Sequence, residues 1–212
     1  MNAPHQPGTV FIVDDDESFL KSVSRLLRAS NHPVRTFASA KEFLEQLSPE
    51  MSGCVVADLQ MPGMNGLEMQ EALANTANPL PVVFLSAQGD IPTTVRAMRH
   101  GAEDFLTKLS PKHDLLDAIQ RAMTRAARER KQRERLRSLR ARFAALTERE
   151  LEVLGHVVRG RLNKQIAADL GINERTVKLH RTSVTRRLKV QSVAELTQLV
   201  QEAGLFKNDQ PE

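Results

Sequence analysis

The sequence contains one cysteine, no tryptophan and no tyrosine. A single cysteine, Cys54, allows no disulfide within the chain and excludes the small disulfide-stapled scaffolds of secreted proteins. No apolar run approaches the roughly 18 residues of a membrane-spanning helix, and the amino terminus lacks the basic and apolar segments of a signal peptide. The sequence therefore predicts a cytoplasmic protein with no membrane partner.

The charges are unevenly distributed along the 212 residues. Residues 1–125 carry 11 basic and 15 acidic side chains, residues 126–142 carry 8 and 2, and residues 143–212 carry 11 and 9. An acidic first part followed by a basic remainder favours two modules, of which the second suits a polyanion. A basic run is more often a solvated helix face, so charge alone leaves both interpretations open.

The first 125 residues alternate between short apolar runs and helical patterns. Strands are predicted at residues 9–13, 34–37, 54–57, 82–85 and 104–107, and helices at 17–29, 40–47, 66–74, 92–99 and from 113 onwards. Right-handed crossovers place such helices on both faces of a parallel sheet. The pattern predicts an α/β doubly wound domain with a five-stranded parallel sheet over residues 1–125.

Polar side chains follow the ends of several predicted strands. The stretch TVFIVDDDESFL ends the first strand on three aspartates, and later strands are followed by Asp58, Ser86 and Lys108. In open α/β sheets, ligands bind at this carboxyl edge. A carboxylate nucleophile, a cation, a hydroxyl and a lysine can together receive a phosphoryl group. Each residue also has an ordinary structural explanation, such as a helix cap or a turn.

The motifs TVFIVDDDESFL, CVVADLQMPGMNG, VVFLSAQGD and EDFLTKLSP resemble those of the receiver domain of bacterial two-component response regulators. The resemblance covers residues 9 to about 125 and implies that Asp58 accepts the phosphoryl group. It also implies a Mg²⁺ site, in which Asp15 is a direct ligand, Asp14 acts largely through water, and Asp58 and the backbone carbonyl of Gln60 complete the set. Asp16 is then left as a spare carboxylate at the helix start.

Three further residues take roles from the same resemblance. Ser86 resembles the switch hydroxyl that follows the phosphoryl group, Phe105 the aromatic side chain that rotates inward with it, and Lys108 the lysine that pairs with the phosphoryl group. Receivers usually place a proline after this lysine, joined through a cis peptide, whereas this chain has Leu109. Because a cis bond before leucine would cost about 2.5 to 4 kcal/mol, we predict a trans bond between Lys108 and Leu109.

A connector without glycine or proline extends from about residue 115 to 146 and predicts a long helix reaching about residue 142. An apolar stripe is expected at Leu116, Ile119, Met123 and Ala126. Residues 126–143 are interpreted as a helical linker. A spacer, a dimer contact and a phosphate-contacting arm all fit this segment. The spacer and the dimer contact are equally favoured, because only scattered apolar positions support a coiled coil.

Residues 144–212 form the second predicted module. Thr147 and Glu150 match a capping box, and two later helical patterns, at 163–170 and 174–190, are separated by a short turn with Gly171. The second pattern is rich in Lys, Arg, Thr and His. These features predict a helix-turn-helix whose second helix can enter the major groove.

The motifs LTERE, NKQIA and TVKLH resemble the LuxR-type DNA-binding domain, an all-α domain of four helices. This resemblance covers residues 146–203 and implies groove contacts by Thr176, Lys178, Leu179 and Thr182. It implies backbone or groove-edge contacts by Lys164, His180 and Arg181. Ser183 stands where the family often has asparagine, so a contact at that position is expected to differ.

Together the two resemblances identify a NarL/FixJ-class transcriptional regulator that is not an enzyme. They imply that Mg²⁺ is the cofactor and that the partners are DNA, a sensor histidine kinase, a second copy of the phosphorylated chain and, as a further candidate, RNA polymerase. Two alternatives remain: a DNA-binding regulator whose receiver no longer accepts phosphate, motivated by Leu109, and a phosphatase with an aspartate nucleophile, motivated by the Asp14-x-Asp16-x-Ser18 pattern.

Overall fold

The computed structural model describes residues 8–87 and 90–206. These residues form two compact units, with the boundary between Arg130 and Lys131. None of the helices in the described part of the chain combines the length and apolarity required to cross a bilayer.

The first unit contains a five-stranded parallel sheet, as the sequence predicts. Its strands are β1 (Thr9–Val13), β2 (Val34–Phe37), β3 (Gly53–Ala57), β4 (Val82–Ser86) and β5 (Asp104–Thr107). They lie in the order β2-β1-β3-β4-β5, and every neighbouring pair is parallel. This order places the carboxyl ends of β1 and β3 side by side at the centre of the sheet.

Helices cover both faces of the sheet. They are α1 (Glu17–Ala29), α2 (Ala40–Glu45), α3 (Gly66–Ala74), α4 (Ile91–Arg99) and α5 (Lys112–Ala144). Along β1, Val10 and Ile12 face one apolar cluster with α1 and α5, while Phe11 and Val13 face the other. Burial on both faces explains why the strand is a continuous apolar run rather than an alternating one.

Two helix ends differ from the sequence prediction. Helix α2 ends at Glu45 rather than residue 47, because the backbone turns at Gln46, whose N–H donates to Glu42 O and Leu44 O. In the second unit, the helix that starts at Glu174 ends at Leu188 rather than Val190, because Lys189 adopts the left-handed conformation with φ of 55°. A residue in the left-handed conformation directly after the last helical residue commonly ends an α-helix.

The second unit begins within α5. Its further helices are α6 (Glu148–Val158), α7 (Asn163–Leu170), α8 (Glu174–Leu188) and α9 (Val193–Ala203), which pack around one apolar core. The predicted capping box of α6 is present, since Thr147 Oγ1 accepts from Glu150 N and Thr147 N donates to the Glu150 carboxylate. Gly171, with φ of 64°, ends α7 and makes the turn into α8. The helix-turn-helix prediction is confirmed.

Helix α5 contributes buried side chains near both of its ends. Leu115, Ala118, Ile119, Ala122 and Ala126 are buried in the cluster that α1 and the sheet form in the first unit. The predicted stripe is therefore shifted, because Leu116 and Met123 are only partly buried. In the second unit, Leu139 and Phe143 are buried in the core with α6 to α9. The last turns of α5 are thus a structural part of that core.

Candidate functional site

An acidic cluster lies at the carboxyl ends of β1 and β3. Each of Asp14, Asp15 and Asp58 places a carboxylate oxygen within 4.8 Å of the others. Asp14 and Asp58 are buried, and Asp15 is exposed. The pairing of Val13 with Ala57 brings these strand ends together. Three oxygen donors of this kind fit a hard cation such as Mg²⁺.

Lys108 reaches the same cluster from the end of β5. Its Nζ lies 2.7 Å from Asp14 Oδ2 and 3.0 Å from Asp58 Oδ2. The contact with Asp58 is a hydrogen bond, whereas the approach to Asp14 is an ion pair outside hydrogen-bond alignment. The bond between Lys108 and Leu109 is trans, like every peptide bond in segments 8–87 and 90–206. The trans prediction is confirmed, and it is compatible with Lys108 lying in the cluster.

Burial and charge act in opposite directions on these groups. Burial raises the pKa of Asp14, and the contacts with Lys108 and the Asp16 N–H only partly offset this effect. Burial by itself would lower the pKa of Lys108, but the contacts with Asp14 and Asp58 outweigh it, so the net direction is upward. The cluster therefore holds the lysine as a cation and favours positive charge beside Asp14.

Asp16 has a different role from its two neighbours. Its Oδ1 accepts from Ser18 N at 2.8 Å and from Phe19 N at 3.1 Å, which caps α1. Its own N–H donates to Asp14 Oδ1 at 2.9 Å. The third aspartate of the sequence motif is thus a helix cap that also orients Asp14.

Ser86 and Phe105 lie on neighbouring strands. Ser86 is buried at the end of β4, and Phe105 is half-buried on β5. Phe84 pairs with Phe105, with ring centroids 6.0 Å apart, and Ser86 pairs with Thr107. This register puts Ser86 and Phe105 on the same face of the sheet, in diagonal positions.

Gln60 is exposed two residues after Asp58. Its N–H lies 3.4 Å from Asp58 Oδ1, and Leu59 N donates to the same oxygen at 2.6 Å. These contacts place Gln60 beside the acidic cluster. The role of its carbonyl as a metal ligand stays a prediction.

A groove of about 600 Å³ lies between α7 and α8 in the second unit. Predicted DNA-contacting residues Lys164, Lys178, Arg181 and Thr182 line it, together with Leu162, Asn163 and Glu174. Lys164, Lys178, Leu179 and Thr182 are exposed. These four side chains are available to a partner.

The other three predicted contacts are half-buried: Thr176, His180 and Arg181. Thr176 donates from both N and Oγ1 to Asn173 Oδ1, the cap of α8. Arg181 Nη1 donates to Asn163 Oδ1 at 2.8 Å, which ties α8 to the start of α7. Thr176 and Arg181 therefore already have partners inside the unit.

Two basic residues on the exposed side of α8 were absent from the sequence prediction: Arg175 and Arg186. Arg175 is three residues before Lys178, and Arg186 is four residues after Thr182. These spacings place all four side chains along one helix face. The periodicity of the exposed face, rather than motif resemblance, could have found them.

Ser183 makes a contact within the unit. Its Oγ donates to Glu150 Oε1 at 2.5 Å, and Arg187 Nε lies 3.4 Å from the same oxygen. The Ser183 hydrogen bond, followed by the Thr147 N–H and the Arg187 charge, holds the pKa of Glu150 below its ordinary value despite some desolvation. Ser183 thus joins α8 to the capping box of α6.

Two family models match this chain, one over each of its two parts. The model of the response regulator receiver domain matches residues 10–120, and that of the luxR family of bacterial regulatory proteins matches residues 144–200. The response regulator protein TmoT of Ectopseudomonas mendocina is 39% identical, covering 92% of this chain and 89% of TmoT. The transcriptional regulatory protein FixJ of Azorhizobium caulinodans is 36% identical, covering 94% and 95%.

Two solved structures are similar to this chain over most of its length. A low-resolution structure of the response regulator StyR is 46% identical, with a TM-score of 0.82, and covers 93% of this chain and all of that one. Full-length FixJ from B. japonicum is 33% identical, with a TM-score of 0.56, and covers 93% and 97%. Both similarities extend over the receiver-like and helical parts of the chain.

Proposed function

Because this chain belongs to the bacterial response regulators that join a receiver domain to a luxR-family DNA-binding domain, we propose that phosphorylation of Asp58 controls its binding to promoter DNA. The observation that carries the proposal is the position of Lys108, whose ammonium contacts both Asp58 and Asp14. A nucleophilic carboxylate beside a fixed cation is the arrangement that phosphoryl transfer needs.

In the proposed transfer, an oxygen of the Asp58 carboxylate attacks the phosphorus of a phosphohistidine on a sensor kinase. The new bond joins that oxygen to phosphorus, the phosphorus–nitrogen bond breaks, and its electron pair returns to the imidazole. Mg²⁺ held by Asp14, Asp15, Asp58 and the Gln60 carbonyl would neutralise the charge of the carboxylates and the incoming phosphoryl oxygens. Lys108 stabilises the negative charge on the transferring group.

Phosphorylation converts the Asp58 carboxylate into an acyl phosphate and so removes the carboxylate charge that Lys108 contacts. The ammonium then pairs with phosphoryl oxygens, and the Ser86 hydroxyl donates to the same group. Since Ser86 and Phe105 occupy diagonal positions on one sheet face, movement of Ser86 opens space for the Phe105 ring to turn inward. The resulting change reaches the surface formed by β5 and α4.

The phosphatase alternative is weakened by the position of Asp16. Its Oδ1 accepts two backbone N–H groups in the cap of α1, so a structural role already accounts for this carboxylate. The inactive-receiver alternative was motivated by Leu109, yet Lys108 contacts Asp58 with Leu109 in place. Both observations favour a phosphorylated receiver.

The surface of α4 supports dimerisation of the phosphorylated chain. Ile91, Val95 and Met98 are exposed apolar residues at spacings of four and three, which form one row along the helix. A second copy presents the same row, and an isologous contact buries both. Such a dimer would present two DNA-binding units to paired half-sites. We include RNA polymerase as a further partner only on the basis of family membership.

Replacing Val95 with glutamine should weaken dimerisation of the phosphorylated protein about a hundredfold. The change loses roughly 1.5 kcal/mol of apolar burial on each of two copies. Sedimentation equilibrium after treatment with acetyl phosphate and Mg²⁺ would measure it. Arg96→Gln places the same side chain at the next exposed position of α4 and serves as the control. Equal dimerisation of both variants and the wild type would count against the α4 surface.

Lys178→Ala should reduce DNA affinity by about 1 to 3 kcal/mol, because Lys178 is exposed on α8 and lines the protein groove between α7 and α8. Phosphate contacts dominate such affinity and make it depend on salt. The measurement is a salt titration of binding to a duplex selected from a random pool by the phosphorylated wild type. Lys41→Ala, an exposed lysine of the first unit, makes the same charge change. If both variants bind alike, Lys178 is not a DNA contact.

A phosphate contact and a base contact at Lys178 predict different results. Loss of a phosphate contact lowers affinity for all duplexes and reduces the salt slope by about one. Loss of a base contact relaxes sequence preference at one position. The same comparison applied to Arg175 and Arg186 would test the two exposed arginines.

A further inference from the structure

The Lys108 ammonium has a third neighbour in addition to the two carboxylates. Its Nζ lies 4.2 Å from the centroid of the Phe19 ring. A cation within about 6 Å of an aromatic face is attracted to the ring electrons. The Lys108 side chain is only 16% exposed, whereas the following residue, Leu109, is 92% exposed. The exposed Leu109 side chain therefore does not bury Lys108, whereas the Phe19 ring, from a different part of the first unit, contacts its ammonium.

The position of Phe19 is fixed by α1. Its N–H donates to Asp16 Oδ1 in the helix cap, and its side chain packs partly against the apolar cluster between α1, α5 and the sheet. Asp16 itself bonds to Asp14 through its N–H. A short segment thus places the Asp14 carboxylate on one side of the Lys108 ammonium and an aromatic ring on another.

We propose that Phe19 is a positioning residue of the phosphoryl site, which holds the Lys108 ammonium through its ring face while the anionic partners of that ammonium change. The inference rests on the proposed function, since the change of partners is the phosphorylation of Asp58. The reaction replaces a carboxylate at the Lys108 Nζ by phosphoryl oxygens. Attraction to a ring face has little directional demand, so the ammonium can turn between these partners and keep its third contact.

Two consequences follow for the rate of transfer. The ring keeps water from one side of the ammonium, which strengthens its interaction with charge that develops on the phosphoryl group. It also restricts the flexible lysine chain, so less side-chain freedom is lost in the transition state. Both effects act on the transition state rather than on donor binding. Removal of the ring should therefore lower the maximal rate of phosphorylation and leave the half-saturating donor concentration unchanged.

The test compares Phe19→Leu with Phe19→Tyr in the full chain. Leucine keeps apolar volume without a ring, whereas tyrosine keeps the ring face. With acetyl phosphate and Mg²⁺, we expect Phe19→Leu to phosphorylate about tenfold more slowly at saturating donor and Phe19→Tyr to restore most of the rate. In a Lys108→Ala background, Phe19→Leu should cause no further loss. An equal tenfold loss in that background would overturn the proposal, because Phe19 would then act without Lys108.

A second measurement needs no phosphorylation. In protein labelled with ¹³C at lysine Cε, the Lys108 CεH₂ protons should be shifted upfield by the ring current, and the Lys108→Ala spectrum identifies their signal. We expect Phe19→Leu to abolish this shift and Phe19→Tyr to retain it. An unchanged signal in Phe19→Leu would refute the contact. If the wild type accepts no phosphoryl group, the proposed function fails, and the ring-current result decides the contact separately.

Discussion

An Asp58→Ala variant incubated with Mg²⁺ and acetyl phosphate should acquire no phosphoryl group, whereas the wild type should gain the mass of one. Asp58 directly follows β3, and its carboxylate contacts the Lys108 ammonium. Without its carboxylate, the site has no nucleophile at the position where the cation can stabilise the transferring group. The effect is expected to be all or none, and intact-mass spectrometry recorded directly after incubation measures it.

Asp16→Asn is the matched control for this experiment. It removes one carboxylate from the same sequence motif, but asparagine caps helices about as well as aspartate. The α1 cap should therefore survive, and the variant should accept a phosphoryl group like the wild type. Labelling of Asp58→Ala to the wild-type extent would place the acceptor elsewhere and contradict the proposed function.

The same samples test the link between phosphorylation and assembly. Phosphorylated wild type and Asp16→Asn should dimerise, and Asp58→Ala should remain in the unphosphorylated state under the same conditions. Phosphorylation of the wild type without any change of oligomeric state or DNA affinity would separate the chemical step from the proposed switch. The acceptor assignment would then stand, and the dimer proposal would not.

Phe143→Ala should destabilise the second unit by about 3 to 5 kcal/mol. Phe143 lies in α5, yet its side chain is only 3% exposed and is part of the core formed with α6 to α9. The match to the luxR family begins at residue 144, so this core extends beyond the segment that the family resemblance defines. Truncation of a buried aromatic side chain leaves a cavity that the surrounding helices fill only in part.

Amide hydrogen exchange followed by mass spectrometry can measure this effect on the full chain. We expect faster exchange in peptides from α6 and α9 of Phe143→Ala, since local unfolding of these helices requires less free energy. Arg140→Ala is the control, because Arg140 is an exposed residue of the same helix. Wild-type protection of α6 and α9 in Phe143→Ala would mean that the last turns of α5 do not stabilise this unit.

Local sequence patterns determined the elements of both units. Apolar runs and helix caps located the five strands and most helix starts, and glycine at position 171 marked the turn of the helix-turn-helix. Motif resemblance pointed to Asp58, Lys108 and the exposed lysines of α7 and α8. These features depend on residues that are near one another in the chain, where spacing reports which face a side chain occupies.

The sequence was less informative about how side chains distant in the chain are used. Thr176 and Arg181 match the DNA-contact pattern, yet both bond to asparagines at helix starts within the unit. Arg175 and Arg186 carry no motif signal but are exposed on α8. Whether a side chain of α8 is exposed or bonded within the unit depends on which face of α8 packs against α6 and α7. A short motif does not contain that information.

The acidic motif shows the same contrast between what the sequence determines and what tertiary packing determines. The sequence by itself determined that three aspartates follow a buried strand, and its motifs resemble those of a receiver domain at that place. Only the tertiary structure decided that Asp16 caps α1, that Lys108 contacts Asp14 as well as Asp58, and that Phe19 lies over the ammonium. Lys108 is 50 residues from Asp58, and their contact depends on the order of strands in the sheet. Periodicity fixes each strand, whereas packing of the whole unit fixes that order.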